Sequence, residues 1–219
     1  MYMYKGVIFD LDGTLVDSIE DLALAMNEVL QQHNFPTHPI EAYKTFIGNG
    51  MNKLAERALP KEYQNIATLD HYASALKEAY KVYCNTHTKA YDGIGTLLTT
   101  LQVMGIHMGV LSNKMHNFTQ KVVLTAFPDI KFTAVHGMYD EATKKPNPTR
   151  ALEMAKEMKL PVEQVLFVGD SDVDIQTARN AGMRAVSVTW GFQPKEKLVA
   201  NHPDFMIDVP EALLGIIKE

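Results

Sequence analysis

The hydrophobic positions of the chain follow two different rhythms. Between residues 19 and 87, apolar side chains recur at helical spacing and no strand candidate occurs, which predicts an all-helical block. Its helices are expected near residues 19–33, 41–47, 52–59 and 69–84. Outside this block, short apolar runs bounded by turn residues predict strands, the first of them at residues 7–9.

From residue 91 onward, predicted helices alternate with apolar strands. The strands are expected at residues 106–111, 134–136, 165–168, 185–188 and 205–207. Strands separated by helices form a parallel sheet with right-handed crossovers and helices on both faces. The first strand joins this sheet, so the sequence predicts an α/β fold with a parallel-sheet core, residues 1–15 and 90–219. An all-helical domain, residues 16–89, is inserted after strand 1.

Composition narrows the possible functions. The chain has 219 residues, of which 46% are hydrophobic, and this is enough for a sizeable core. A formal net charge of −5 without a basic run argues against nucleic acid or an anionic membrane as the partner. The single cysteine, Cys84, is expected to be buried and fits a reducing, cytoplasmic location. No signal peptide is predicted, because the first residues lack a charged segment followed by a long apolar one. No membrane span is predicted, because no apolar stretch approaches about twenty residues.

Two aspartates follow the first strand, one residue apart. Asp10 and Asp12 precede Gly13, which permits a turn that brings both carboxylates to one site. Like charges buried side by side need a cation or a shared proton. Ligands of an open parallel sheet bind beyond the carboxyl ends of its strands. Polar residues that follow the other strands are expected at the same edge: Ser112, Asn113, Lys114, Lys145 and Asp170.

This set of side chains suits phosphoryl transfer. The reaction needs an in-line nucleophile, cations that balance the phosphoryl oxygens and a proton donor for the leaving alkoxide. An aspartate can attack and form an aspartyl-phosphate. Clustered carboxylates favour Mg²⁺ over zinc, and the eight histidines show no HxH or HxxxH pairing. The sequence therefore favours a phosphate-ester enzyme with Mg²⁺ as its cofactor.

Four separated segments together resemble the four motifs of the haloacid dehalogenase superfamily of phosphohydrolases. They are DLDGTLVDS at residues 10–18, SNK at 112–114, KPNP at 145–148 and GDSDVD at 169–174. The resemblance runs from Lys5 to about Pro210 and implies a Rossmann-like core with a helical cap inserted after strand 1. A small phosphorylated metabolite is the expected partner, and the chain is expected to be a monomer or a homodimer.

The resemblance assigns roles to the acidic positions. Asp10 would be the nucleophile, and Asp12 would protonate the leaving alcohol and then activate water. Mg²⁺ would be held by the carboxylates of Asp10 and Asp170 and by the backbone carbonyl of Asp12. Because the dehalogenases lack an aspartate at the position of Asp12, a phosphatase is favoured over carbon–halogen hydrolysis.

The same resemblance implies three phosphate-binding residues, Ser112, Asn113 and Lys145. Thr14 and Asp174 are expected to support the site. For Asp174 two interpretations stay open, support of the metal site and capping of the helix that follows.

Three further residues near these motifs are interpreted as structural. Lys114 and Lys144 are expected to be surface charges, although Lys114 adjoins the site. Trp190 is expected to cover apolar surface.

The substrate subclass depends on a glycine-rich loop formed by Gly48, Asn49 and Gly50. Residues 46–59 resemble the specificity loop of phosphoglycolate phosphatases. A turn of this kind between two helices could present backbone amides to a small carboxylate. Arg57 could support the loop, bind the substrate or only form an ion pair. Alternatives are a pyrophosphatase, a broad sugar-phosphate or nucleotide phosphatase, a phosphomutase and a non-catalytic phosphate-binding module.

Overall fold

The computed structural model describes residues 3–218, except for the side chains of Ile66 and Ala67. The chain divides into two compact units. One unit comprises Met1–Val16 and Ala90–Glu219, and the other comprises Asp17–Lys89.

Regular structure covers most of the described chain. The strands are β1 Gly6–Phe9, β2 Val16–Asp17, β3 Lys89–Ala90, β4 His107–Met115, β5 Ala134–Met138, β6 Val165–Gly169, β7 Arg184–Val188 and β8 Phe205–Ile207. The α-helices are α1 Ile19–Gln32, α2 Tyr43–Phe46, α3 Gly50–Ala58, α4 Ile66–Tyr83, α5 Ile94–Val103, α6 His116–Ala126, α7 Thr149–Glu157, α8 Asp172–Ala181, α9 Lys195–Ala200 and α10 Leu213–Lys218. The predicted helices and strands are present, with ends that differ by a few residues.

A six-stranded parallel sheet forms the centre of the first unit, in the order β5-β4-β1-β6-β7-β8. The inner strand β1 pairs Ile8 with Gly109 of β4 and with Phe167 of β6. All four residues of β1 are buried, because helices cover both faces of a sheet of this type. The predicted α/β, Rossmann-like parallel sheet is therefore confirmed.

One face of the sheet packs against α7 and α8. Ile8 and Phe167 lie in one apolar cluster with Met154 of α7 and Ile175 of α8. The start of α8 is fixed by a capping box in which the Ser171 hydroxyl accepts from the main chain of residue 174. This cap explains why α8 begins at Asp172, directly after the capping residue.

Strand β4 is longer than its apolar pattern predicts. The pattern ends at residue 111, but the strand continues to Met115. Its register with β5 shifts between Leu111 and Met115. Residues 112–114 are polar yet buried, so the alternation of polar and apolar residues did not indicate the true end of the strand.

The second unit consists of α1 to α4, with residues of β2 and β3 at its two ends. Helix α1 packs against α4, and α3 packs against α4. The predicted apolar stripe is confirmed on α1, where Leu22, Met26 and Leu30 are buried, and on α4, where Leu76 and Tyr80 are buried. The two short strands were not predicted, because two residues are too few to show a period.

Two expectations from composition can be compared with the structure. Cys84 is buried, as predicted. Across the described helices, none combines the length and the apolar character that a bilayer span requires.

Candidate active site

Three buried carboxylates meet at the carboxyl ends of the inner strands. Asp10 follows β1, and its N–H donates to the carbonyl of Val168 on β6 at 2.8 Å. Asp170 follows β6 directly, and Asp174 lies on the first turn of α8. Each residue offers one carboxylate oxygen, and these oxygens lie within 4.8 Å of one another. We call Asp10, Asp170 and Asp174 the acidic cluster.

The buried Lys145 supplies positive charge to the acidic cluster. Its Nζ lies 2.8 Å from Oδ1 of Asp10 and 2.7 Å from Oδ1 of Asp174. Asn113 fixes the backbone of Lys145, because its side-chain amide donates to the carbonyl of Lys145 at 3.2 Å and accepts from its N–H at 2.9 Å. The structure therefore gives Asn113 a supporting contact, while phosphate binding by Asn113 stays a prediction.

The charges in the cluster do not balance within the protein. Burial raises the pKa of Asp10 well above its usual range; the charge of Asp174 adds to this effect, and Lys145 opposes it. Burial and Asp174 likewise raise the pKa of Asp170 to about 7. Burial alone would lower the pKa of Lys145, but the carboxylates of Asp10 and Asp174 outweigh it and raise that pKa. The cluster therefore requires a proton or a further cation.

Glycines let the backbone approach the acidic side chains closely. A Cβ atom at Gly13, which has a φ of +88°, would collide with the carboxylate of Asp170. A Cβ atom at Gly191 would collide with Cβ of Asp170, and one at Gly169 would collide with the carboxylate of Asp174. The space around these carboxylates exists because three neighbouring positions carry no side chain.

The loop after β7 also shapes the site, a contribution that sequence reasoning missed. The N–H of Phe192 donates to Oδ2 of Asp170 at 2.7 Å. The indole Nε1–H of Trp190 donates to the carbonyl of Thr14 at 3.1 Å, and the Thr14 hydroxyl donates to Oδ1 of Asp170 at 3.3 Å. Trp190 thus anchors the turn after β1 rather than only covering apolar surface. Its position after a predicted strand was the available signal.

The prediction that Lys114 is a surface charge is wrong. Its side chain is only 3% exposed, and its Nζ lies 2.5 Å from Oδ1 of Asp12, so it is not a surface charge. Lys144 is also less exposed than predicted, at 18% of its side chain, and it pairs with Glu141. The error arose because β4 was predicted to end at residue 111, which left residue 114 in a presumed surface loop.

Ser112 and Asp174 are both buried in the core unit, and their predicted roles stay predictions. Ser112 is buried, and its hydroxyl accepts from the N–H of Lys114 at 3.1 Å. Asp174 caps α8, which is one of the two interpretations left open by the sequence, whereas its support of a metal site stays a prediction. Its Oδ2 accepts from the N–H of Ser171 at 3.1 Å and from the Ser171 hydroxyl, which caps α8, while its Oδ1 binds Lys145.

The predicted specificity residues lie in the helical unit, between α2 and α3. Gly48 and Gly50 have φ angles of +106° and +81°, and Asn49 precedes the first turn of α3. Arg57 Nη2 donates to Oδ1 of Asn49 at 2.8 Å, and Nη1 donates to the carbonyl of Phe46 at 3.0 Å. Arg57 therefore supports the loop, which was one of its three predicted roles.

The geometry of the core unit suits attack on an electrophilic phosphorus. It combines carboxylates with raised pKa values, a buried lysine on one of them and a second buried lysine on Asp12. The acidic cluster offers oxygen ligands in a group small enough for one hard cation.

Known proteins share both the sequence pattern and the fold. The profile of haloacid dehalogenase-like hydrolases matches residues 7–188. A phosphoglycolate phosphatase from Mannheimia succiniciproducens is 34% identical over 98% of each chain, and one from Pasteurella multocida is 33% identical over the whole of both chains.

Solved structures agree with these sequence matches. A structure from Lactobacillus delbrueckii subsp. bulgaricus has a TM-score of 0.91 at 28% identity, and the match covers 99% of this chain and 100% of the other. A predicted phosphoglycolate phosphatase from Haemophilus somnus 129pt has a TM-score of 0.90 at 29% identity and 99% coverage of both chains.

The chain belongs to the haloacid dehalogenase-like hydrolases, because the family profile covers most of its length. Within that family it is a phosphatase, as its full-length relatives indicate. The predicted resemblance and the predicted enzyme class are both confirmed.

Proposed function

We propose that this phosphatase hydrolyses a small phosphorylated metabolite through an aspartyl-phosphate on Asp10, with Mg²⁺ bound at the acidic cluster. The first candidate substrate is 2-phosphoglycolate. The observation that carries the proposal is the way in which the buried lysines pair with the carboxylates of the site. Lys145 binds Asp10, Lys114 binds Asp12, and Asp170 lies beside them without a lysine of its own among the described ion pairs.

Asp10 is the carboxylate best placed to attack. Lys145 holds its Oδ1 at 2.8 Å, and no hydrogen bond to its Oδ2 is found within residues 3–218. Asp174 has Lys145 on one oxygen and Ser171 on the other. In the first step, Oδ2 of Asp10 would bond to phosphorus as the bond from phosphorus to the alcohol oxygen breaks.

Asp12 is the proposed proton carrier. In the first step its carboxyl group would give a proton to the leaving alkoxide. In the second step its carboxylate would take a proton from the water that attacks the aspartyl-phosphate. That attack would release inorganic phosphate and restore the carboxylate of Asp10. Asp12 lies two residues beyond Asp10, and its side chain is held by Lys114.

The residues present fit Mg²⁺. Three carboxylate oxygens lie within 4.8 Å of one another, and glycines leave space around them. The raised pKa values of Asp10 and Asp170, caused by burial and by the charge of Asp174, support the proposal that a cation binds here. The carboxylates of Asp10 and Asp170 and the carbonyl of Asp12 would hold the ion, while Asp174 stays on Lys145. Bound Mg²⁺ would balance the negative charge of the phosphoryl oxygens.

Phosphate binding would use Ser112 and Lys145. Both side chains are buried: Ser112 lies in the last part of β4, two residues before the lysine that binds Asp12, and Lys145 lies against Asp10. A hydroxyl and an ammonium group donate hydrogen bonds to phosphoryl oxygens, and the ammonium also supplies charge. Asn113 would assist by fixing the backbone of Lys145.

The substrate proposal depends on the relatives and on the loop of the helical unit. Two relatives at 33–34% identity, matched over 98% or more of each chain, are phosphoglycolate phosphatases. We propose that residues 16–89 act as a cap on the core of residues 1–15 and 90–219. Its loop of Gly48, Asn49 and Gly50, held by Arg57, would select a small carboxylate-bearing substrate.

A substrate panel with Mg²⁺ tests the proposal. The value of kcat/KM is measured for 2-phosphoglycolate, pyrophosphate, nucleotides and sugar phosphates, and 2-phosphoglycolate should give the highest value. Asp10→Asn should lower phosphate release from every active substrate by at least about 1000-fold, because it removes the nucleophile. Asp172→Asn is the matched control, since Asp172 pairs with Lys197 at the start of α8 and lies outside the acidic cluster.

Each result of the panel has a clear meaning. Equal, low values of kcat/KM for all substrates would contradict a dedicated phosphoglycolate enzyme. A clear preference for pyrophosphate or sugar phosphates would show that 2-phosphoglycolate is not the preferred substrate. Transfer of the phosphoryl group to a bound sugar, without release to water, would indicate a phosphomutase. Wild-type rates for Asp10→Asn, with the fold intact by circular dichroism, would show that the nucleophile has been misassigned.

A further inference from the structure

The most informative unassigned contact at the site is the ion pair between Lys114 and Asp12. The Nζ of Lys114 lies 2.5 Å from Oδ1 of Asp12, and the two side chains are only 3% and 12% exposed. A buried lysine is rare unless its charge is matched, because burial penalises the charged form. The pair is therefore a specific feature of the site rather than a solvated contact.

Three consecutive residues of β4 each hold a different part of the site. Ser112 is the proposed phosphate ligand, Asn113 binds the backbone of Lys145, and Lys114 binds Asp12. In a regular strand, successive side chains point to opposite faces. The register shift between Leu111 and Met115 breaks that regularity at this segment, where all three residues are buried.

The position of Lys114 is fixed from its own backbone. Its N–H donates to the hydroxyl of Ser112 at 3.1 Å, and its carbonyl accepts from the buried hydroxyl of Thr119 at 3.1 Å. A lysine side chain otherwise has considerable rotamer freedom. With its backbone held and its ammonium buried on Asp12, Lys114 can hold the Asp12 carboxylate in one orientation.

Among the described ion pairs, the two buried lysines contact different carboxylates. Lys145 binds Asp10 and Asp174, whereas Lys114 binds Asp12. The proposed function gives Asp10 and Asp12 different tasks, attack and proton transfer. Among the described ion pairs, these two carboxylates therefore contact different ammonium groups.

We propose that Lys114 is a positioning residue that orients the carboxylate of Asp12 for the second chemical step, an inference that rests on the proposed function. In that step a water oxygen bonds to phosphorus, the bond from phosphorus to Oδ2 of Asp10 breaks, and the water proton passes to the Asp12 carboxylate. This is the step in which Asp12 acts as a carboxylate, the form that pairs with an ammonium group.

The two chemical steps can be separated by rapid-quench experiments with Mg²⁺ and p-nitrophenyl phosphate. Release of p-nitrophenol reports the first step, and decay of the acid-stable phosphoenzyme reports the second. In Lys114→Met, the decay of the phosphoenzyme should slow by about 10- to 100-fold, because a misplaced base loses much of its effect. The first release of p-nitrophenol should change by less than about 5-fold, because this good leaving group needs little protonation.

Conservative and matched variants separate positioning from general damage. Lys114→Arg keeps the positive charge, so its phosphoenzyme should decay faster than that of Lys114→Met. Lys144→Met removes a lysine that pairs with Glu141 and should leave both steps at wild-type rates. If Lys114→Met does not fold, as judged by thermal unfolding, Lys114→Gln gives the same comparison.

A double-mutant comparison provides the decisive result. In an Asp12→Asn background, Lys114→Met should have little further effect on phosphoenzyme decay, because Lys114 acts through Asp12. An equal loss in both backgrounds, or an equal loss in both chemical steps, would overturn the inference. Failure to form any phosphoenzyme in the wild-type protein would instead contradict the proposed function.

Discussion

The two units of the protein each bury carboxylate groups, but they satisfy them in different ways. In the helical unit, the fully buried Asp21 accepts from the N–H groups of Asn85, His87 and Thr88 at 3.1, 2.8 and 3.1 Å. The hydroxyl of Thr88 adds a further donor at 2.5 Å. A single carboxylate is thus surrounded by hydrogen-bond donors, and it ties residues 85–88 to α1.

In the core unit, three carboxylates are packed against each other, and Lys145 contacts only two of them, Asp10 and Asp174. The pKa of Asp10 and that of Asp170 are raised as a result, first by burial and then by the neighbouring charge of Asp174. The comparison teaches that burial alone does not indicate chemistry. A buried acid surrounded by donors stabilises the fold, whereas buried acids packed together need a ligand.

The largest expected effect is the loss of activity on substitution of Asp170, which tests whether the acidic cluster differs from the Asp21 site. Asp170→Asn should lower phosphatase activity by about 1000-fold or more, because a proposed metal ligand is lost. It should also abolish the rise in melting temperature that Mg²⁺ produces in the wild-type protein. Without metal, the variant should be at least as stable as the wild type, since one repelling charge is removed. Calorimetry with and without Mg²⁺ measures both effects.

An unchanged response of Asp170→Asn to Mg²⁺ would place the metal elsewhere. A strong loss of metal-free stability would show that the acidic cluster behaves like the Asp21 site. Either result would remove the distinction between the two units.

The next largest effect is expected for substitution of Asp21, which should change the stability of the fold but not the binding of Mg²⁺. Asp21→Asn replaces one acceptor oxygen by a donor that faces N–H groups, so the free energy of unfolding should fall by about 2–3 kcal/mol. The stabilisation by Mg²⁺ should remain, because Asp21 lies in the helical unit, outside the acidic cluster. Urea unfolding at two Mg²⁺ concentrations tests this. Asp17→Asn is a suitable control, since the exposed Asp17 contacts only the N–H of Ile19 among its described hydrogen bonds.

The smallest expected effect is a pH dependence of stability and of Mg²⁺ affinity, which only the acidic cluster of the core unit should cause. The pKa of Asp170 is raised to about 7 in the metal-free fold, above its ordinary value. Between about pH 4 and pH 7, the folded state therefore keeps a proton on Asp170 that the unfolded chain has already released. The stabilisation that this proton gives to the folded state is lost as the pH rises through that window. Binding of Mg²⁺ requires the deprotonated form, and its affinity should rise with pH up to about 7.

Titration calorimetry and metal-free urea unfolding across this pH range measure both trends. Asp170→Asn should lack this component of the pH dependence, whereas Asp21→Asn should keep it. Identical pH profiles for the wild type and Asp170→Asn would contradict the assignment to Asp170.

Much of the core could be predicted from local pattern. The apolar runs at residues 7–9 and 165–168 are buried strands, and the rule that ligands bind beyond strand ends correctly gathered Asp10, Lys145 and Asp170. These predictions succeeded because each depends on a short segment and on one property of parallel sheets. Helix positions succeeded for the same reason, since apolar stripes are local.

The contacts that sequence reasoning missed all depend on partners distant in the chain. Lys114 was predicted to lie at the surface because polar residues 112–114 follow an apolar run, and only the pairing of β4 with β1 and β5 shows that they are buried. The N–H of Phe192 reaches Asp170 across 22 residues, and Trp190 reaches Thr14 across 176. No periodicity in the sequence reports such contacts.

The sequence by itself determined the α/β pattern, the inserted helical block and the types of residue at the strand ends, because these follow from local periodicity and motif spacing. The tertiary structure decided which charges pair. It placed Lys145 on Asp10 and Asp174, Lys114 on Asp12, and donors around Asp21. The physical reason is that desolvation and Coulomb energies depend on distance in space, which packing sets and sequence spacing does not.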